Sequence, residues 1–348
     1  MKSLMANSVR NVWPLVLLPA LSWTAAGAEP AAGPAGEPLL ERVSYAKAAA
    51  YLDAGAHAHE KNCFACHATF AYLAARPALA PTAAVYQQTR QALQRSAAKL
   101  AAEKLSPQDK PARVAAVVLT AVALAQNDAA AGKLQPLTRK TLDRIWDVQR
   151  EDGGWNWIQA GEPPSGIDDH FGVTTAAIGV TAAPDQYAGT PQARRGLDGI
   201  RRYLHAHPPA TMHQRAMLLL AAARLDGLLS PQQKRQTADE LLSLQRPDGG
   251  WAMSGLGDWK RLDGAPLDRT ASDGYGTGLV LYVLRRGAGI PAADPRLGKA
   301  VAWLETHQRA SGCWFTRSPR KNDELSTYVG TACAIQALDA CGEIRGKP

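Results

Sequence analysis

Gln149-Arg150-Glu151-Asp152-Gly153-Gly154-Trp155 recurs as Gln245-Arg246-Pro247-Asp248-Gly249-Gly250-Trp251 and again as Gln308-Arg309-Ala310-Ser311-Gly312-Cys313-Trp314. Each copy closes a stretch with helical apolar spacing, and a polar, Gly-containing turn then leads into another such stretch. Self-similarity of this kind decides architecture before any single residue is interpreted: helical hairpins that cannot bury their apolar faces alone stack on one another. In the second copy, the run Leu241-Leu242-Ser243-Leu244 packs a helix, and Pro247-Asp248-Gly249-Gly250 stops it, with glycine available for positive φ. The Gln is expected to satisfy orphan helix-terminal groups, while the Trp covers the turn and pins one hairpin to the next.

Outward from the repeats, apolar periodicity predicts helices over 44–60, 82–103, 107–127, 137–149, 169–181, 191–205, 210–225, 231–245, 274–286, 295–308 and 325–340. A short helix over 69–76 is expected to end at Pro77. Ser106-Pro107, Thr190-Pro191, Ser230-Pro231 and Asp294-Pro295 each place a capping side chain before a proline at the first helical position. Strand-type alternation of Val, Ile and Thr is almost absent, so the fold class is all-α.

The 348 residues are 46% hydrophobic and only 6% aromatic, yet nine of the aromatics are Trp. A formal charge of +8 comes from scattered doublets such as Arg194-Arg195 and Arg285-Arg286, not from one basic stripe, which argues against nucleic acid as a partner. Lys2 and Arg10, the apolar run from Val12 to Trp23 and the small-residue site Ala26-Gly27-Ala28 read as a secretory signal. The mature protein is therefore expected to be exported, periplasmic in a bacterium, and soluble or in peripheral contact with the membrane. Residues 29–41, rich in Pro, Ala and Gly, read as a linker.

The three Trp-bearing segments resemble the QW repeats of the prenyltransferase/squalene-oxidocyclase superfamily, over roughly Thr138 to Cys341. The resemblance implies an α/α toroid of inner and outer helical rings around an apolar centre, here as a single toroid with an N-terminal helical extension. With the signal and linker read from composition, the chain divides into a signal (1–28), a linker (29–41), a helical segment with the Cys63–His67 motif (42–105) and the toroid (106–348). The resemblance also implies an apolar or isoprenoid-like ligand.

After the first repeat the chain reads Ser165-Gly166-Ile167-Asp168-Asp169-His170-Phe171, and Ser272-Asp273-Gly274-Tyr275 and Ser326-Thr327-Tyr328-Val329 occupy the matching places later. All three are expected to begin helices rich in small residues. By its chemistry, Asp168 or Asp169 is an N-cap at the positive end of a helix dipole. By resemblance to squalene-hopene-type cyclases and their Asp-x-Asp-Asp motif, Asp168 takes the place of the alkene-protonating acid. Asp169 follows it, and His170 could orient Asp168 or compete for its proton. Gly166 stands where those cyclases have their first Asp. Trp155, Trp157, Trp251 and Phe171 would then contribute to a cavity wall suited to carbocations. Asp339-Ala340-Cys341 has the spacing of the zinc-holding Asp-x-Cys pair of protein prenyltransferases, but the last His, His307, lies upstream of it, and zinc is not expected.

Cys63-Phe64-Ala65-Cys66-His67 matches the attachment signature of c-type haem. Two thiols at that spacing add across the vinyl groups, and the adjacent His67 can reach the iron as a metal ligand. A local disulfide, a redox pair or part of a metal site are the other chemistries open to it. His57, His59, Met212, Met217 and Met253 are the candidates for the second axial position, and a five-coordinate iron is the alternative. Cyclases and prenyltransferases of the superfamily lack this motif, so the combination points to a haem protein on a cyclase-like frame that binds an apolar ligand or passes electrons to a redox partner. A cyclase-like enzyme and a non-catalytic partner-binding toroid are the alternatives. Of the remaining thiols, Cys333 and Cys341 would lie about 12 Å apart on one helix, too far to bridge, whereas Cys313 could pair with either.

Overall fold

The computed structural model describes residues 34–60, 67–159, 161, 163–321 and 323–344; of 57–60 and 67 it describes the backbone but not the side chains. The signal expected over 1–28 and the thiols of Cys63 and Cys66 lie outside the described residues. Those described form twelve α-helices: α1 (Tyr45–Glu60), α2 (His67–Leu79), α3 (Ala84–Ala102), α4 (Pro111–Ala131), α5 (Pro136–Asp147), α6 (Asp169–Ala182), α7 (Pro191–Ala206), α8 (Met212–Ala222), α9 (Pro231–Ser243), α10 (Gly274–Arg286), α11 (Pro295–Thr306) and α12 (Asp323–Cys341). Extended pairing among the described residues is limited to two isolated bridges, Leu39 with Arg309 and Gln149 with Trp155. The even-numbered helices pack in succession, and α12 returns to α2, which closes an inner ring. The odd-numbered helices stand outside them, so the fold is an α/α toroid with its core between the two rings.

The repeats occupy equivalent corners, each carrying the chain from an outer helix to the next inner one. In every copy the buried indole Nε1–H donates to a carbonyl in the last turn or so of the outer helix before it. Trp155 donates to Ile145 at 3.1 Å, Trp251 to Leu241 at 2.7 Å and Trp314 to Leu304 at 2.7 Å. Trp therefore serves a helix-end carbonyl, the task expected of Gln, although in the second copy the Leu244 amide also reaches that carbonyl at 3.3 Å. The Gln amide reaches further, from its own turn to the following outer helix or its entry. Gln149 Nε2 donates to Gly153 and to Gly196 in α7, Gln245 to Gly249 and to Arg296 in α11, and Gln308 to Gly312 and to Ser44 just before α1. The central glycines have φ of +93°, +93° and +98°, and each lies directly on the backbone of that neighbouring helix. A Cβ on Gly249 would come within 2.7 Å of the Lys299 carbonyl, and one on Gly153 or Gly312 would overlap Gly199 or Lys47.

The third corner also fixes where the chain begins. Gln308 accepts from the Ser44 amide at 2.6 Å, the Leu40 amide donates to the Gln308 carbonyl, and the Ala310 amide donates to the Pro38 carbonyl. The linker expected over 29–41 is thus, in its last residues, bound along the third repeat. Likewise, the segment 42–105, expected as an extension ahead of the toroid, supplies α1, α2 and α3 to the rings. Its α2 sits between α12 and α4, and Tyr328 of α12 donates to the Leu52 carbonyl of α1 at 2.8 Å. The N-terminal boundary of the toroid moves accordingly. A closed ring needs a partner for both faces of α12, and only this segment provides one.

Thr190, Ser230 and Asp294 cap their helices as expected. Ser106 does not: its amide donates to the Asp109 carboxylate, forming a turn, and α4 starts at the second proline, Pro111. Pro77 lies inside α2, where a proline ring leaves the carbonyl four residues earlier without its helical donor. The buried Asn127 side chain of α4 donates to that carbonyl, Leu73, at 3.2 Å. The segment Ser326–Thr331 lies a turn inside α12, since that helix begins at Asp323. By length and composition α4 could cross a membrane, but 72% of its apolar window is buried within the fold, as suits an inner-ring helix.

Gly249→Ala is expected to lower stability by more than about 1 kcal/mol, because the added Cβ meets backbone at a positive φ. Gly298→Ala, in α11 with no atom near the new Cβ, should stabilise by roughly 0.5–1 kcal/mol. Trp251→Phe, which removes the indole donor to the Leu241 carbonyl and leaves it only the Leu244 amide at 3.3 Å, should cost about 0.5–1.5 kcal/mol. Urea denaturation of the three variants checks this order, and equal midpoints for the two alanine variants would refute the close-approach argument.

Candidate functional site

The corners after outer helices set the N-terminal ends of α6, α10 and α12 at one end of the ring, and they hold the carboxylates singled out by sequence. Asp168 caps α6: its Oδ1 accepts from the amides of His170 at 2.9 Å and Phe171 at 3.4 Å. Its Oδ2 accepts from Gln214 Nε2 at 2.7 Å, which ties α6 to the capping box of α8. Asp169 accepts from Arg150, the arginine of the first repeat, at 2.7 Å. His170 is buried, neither ring nitrogen has a partner among the described residues, and burial lowers its pKa. None of the three faces the central cavity. Asp168 and Asp169 hold a helix start and a repeat corner together, with their oxygens engaged as acceptors.

Asp273 caps α10 as Asp168 caps α6, but in a drier place. Its Oδ1 accepts from the Gly276 amide at 2.7 Å and its Oδ2 from the Met253 amide at 2.6 Å. Burial nevertheless pushes the carboxyl up to about 7, against the pull of these donors. Two residues on, the Tyr275 hydroxyl meets His213 Nε2 of α8 at 2.9 Å. Burial pushes His213 down to about 3, so its imidazole is neutral, and it also raises the Tyr275 phenol. Phe171 and Trp259 flank the imidazole, with ring centroids 6.3 and 6.2 Å away. A neutral imidazole can either donate to or accept from the phenol, so the pair presents one polar point in apolar surroundings.

Tyr275 lines the axial cavity, a space of about 360 Å³ walled by side chains from every inner helix. Its wall is mostly apolar, including Leu119, Val122, Phe171, Ile178, Leu279 and Val329. Thr175 adds a buried hydroxyl without a partner among the described residues. Such a volume and lining suit a small molecule of largely apolar surface. Sequence reasoning had no means of joining His213 to Tyr275 across the intervening chain. The available signal was register: Phe171 and Tyr275 each face the axis in the first turn of a repeat-linked inner helix.

Of the cavity-wall candidates, Phe171 lines the cavity, whereas Trp155, Trp157 and Trp251 are buried in the packing around it. Met217 and Met253 also line it; Met212 starts α8. Cys313, Cys333 and Cys341 are all free thiols, so neither of the two pairings open to Cys313 is made. Cys313 sits in the third repeat corner, while Cys333 faces the axis from α12, and burial holds the Cys333 thiol up at about 12. His67 is the first residue of α2; its side chain, like those of His57 and His59, lies outside the described residues.

No protein-family model matches the sequence, and no curated protein does. Among solved structures, a polysaccharide lyase is similar, with 13% identity and a TM-score of 0.51, covering 86% of this chain and 97% of that one. At that identity the likeness is one of fold, and it agrees with the α/α toroid.

The Asp273 carboxyl titrates at about 7 when folded and near 3.8 when unfolded, so between those values the folded state binds the extra proton. Stability from this group is complete below the lower value and is lost as pH rises through the higher one. Asp273→Asn removes the titration, at a constant cost for the altered Met253 contact, and leaves His213 common to both proteins. The stability of wild type relative to the variant should therefore fall from about pH 4 to about pH 7 and then level. A difference independent of pH would mean that Asp273 ionises as an ordinary carboxylate.

Proposed function

We propose that the protein is an exported, squalene-cyclase-like QW-repeat toroid that carries a covalently attached c-type haem and binds an apolar, isoprenoid-like molecule in its axial cavity. The cavity is the observation that carries this reading: an enclosed ring of helices has left its centre open and lined it with carbon. A purely structural toroid gains nothing from that void, because each unfilled methyl-sized space costs about 1 kcal/mol.

The haem rests on the chemistry of the donor set. Cys63 and Cys66 would form the two thioethers and His67 would bind the iron. The remaining thiols, being free and held elsewhere in the fold, do not compete for those two as disulfide partners. His67 opens α2, and Phe70, Ala71 and Ala74 of the same helix line the cavity, so the motif is tethered directly to the ligand-binding wall. When bound, the haem would supply one-electron transfer to an exported redox partner. Alkene protonation by Asp168 finds no support in the geometry, since that carboxylate is committed to the α6 cap and to Gln214.

Expression with the c-haem maturation machinery should give a pyridine haemochrome spectrum and an intact mass higher by one haem. Both should be lost in Cys63→Ser/Cys66→Ser. Calorimetric titration with farnesol should show binding that Ala74→Phe, which projects into the cavity, reduces at least about tenfold. A full-length, haem-free product under maturation conditions would remove the haem from the reading, and farnesol binding indifferent to Ala74→Phe would remove the cavity.

A further inference from the structure

The apolar cavity is followed along the axis by a second space of about 720 Å³ toward the C-terminal ends of the inner helices. The two share Ala74, Gln126, Ile178, Leu220, Tyr282 and Gln336 as wall, so they adjoin at an amide-bearing waist. Beyond the waist the lining changes character. Arg224, just after α8, and Arg286, at the end of α10, face the second space together with Asp339 of α12. Both arginines are exposed, and neither forms an ion pair among the described residues.

Helix C-termini are negative ends, and cations there are favourable whatever they face. That alone does not account for the arrangement. Arg285 also lies in the last turn of α10 and satisfies a local carbonyl, donating to Ile290 at 2.7 Å. Arg286 and Arg224 come from different inner helices and converge on the same chamber. Among the described lining residues, two guanidiniums and one carboxylate sum to one positive charge.

We propose that the two adjoining spaces bind a single-chain amphiphile with a monoanionic carboxylate head, of the long-chain fatty acid type. The chain occupies the apolar cavity, and the head lies beyond the Gln126/Gln336 waist against Arg224 and Arg286. The planar guanidinium fork matches a carboxylate in geometry. Asp339 disfavours a dianionic head, which would meet a like charge at the same rim. This inference rests on the reading of the axial cavity as a ligand site and adds to it the chemistry and orientation of the ligand.

The test is calorimetric titration of the mature, haem-matured chain with dodecanoate and dodecyl phosphate below their critical micelle concentrations and with 1-dodecanol below its solubility limit. Dodecanoate should bind more tightly than the other two. Arg224→Gln/Arg286→Gln should weaken dodecanoate about tenfold while leaving 1-dodecanol unchanged, and Ala74→Phe should weaken both. Equal binding of dodecanoate and 1-dodecanol, unaffected by the arginine substitutions, would overturn the head-group assignment and leave the apolar cavity standing. Preference for dodecyl phosphate would overturn the monoanionic class. Failure of every chain to bind would overturn both this inference and the cavity reading beneath it.

Discussion

Every outer helix that ends at a repeat leaves carbonyls with no partner of their own, and in this fold an indole N–H covers one of them. An unsatisfied buried carbonyl costs on the order of 1–3 kcal/mol, so seating the Trp stabilises the corner, most where no backbone amide reaches the same carbonyl. Seating it brings the rest into place. The Gln amide then reaches the next outer helix, and a glycine at positive φ lets the two backbones touch. Three such corners set the spacing of the outer ring, and the third, by binding Ser44 and the residues before it, joins the end of the chain to its beginning.

A ring built in this way has consequences for its centre. The inner helices pack against the outer ones and against each other, so their axial faces are not needed for cohesion. Those faces carry carbon at the N-terminal end and charge at the other. The caps of the inner helices are structural, but burial separates them. Asp168 is tied to a neighbouring helix, whereas Asp273 lies in a drier site beside the Tyr275–His213 pair at the cavity wall. The polar group closest to the functional reading is thus the phenol of Tyr275, held by a neutral imidazole.

Much of this was legible in the sequence where the signal was local. Periodicity located the helices, and Thr190, Ser230 and Asp294 read correctly as caps because a capping bond reaches only two or three residues. Ser106 failed as a cap because the side chain of Asp109 offered its amide a competing turn, and nothing in the dipeptide Ser-Pro reveals that. Pro77 failed as a terminator for the opposite reason: a distant side chain, Asn127, takes over the carbonyl that proline leaves bare. At the site, the Asp168-Asp169-His170 run was recognisable as a helix start, but its resemblance to a catalytic motif gave no information on which way the side chains face.

The sequence by itself determined that the chain is all-α, that its hairpins repeat, and where most helices begin and end. These properties follow from backbone sterics, capping and apolar period, which act over a few residues. Only the tertiary structure decided that residues 42–105 complete the ring, that Trp and not Gln serves the helix end, and that His213 meets Tyr275. It also decided which residues line the axis and how charge divides along it. These depend on how the ring closes, and closure brings together groups far apart in the chain, whose burial then sets their pKa and their chemistry.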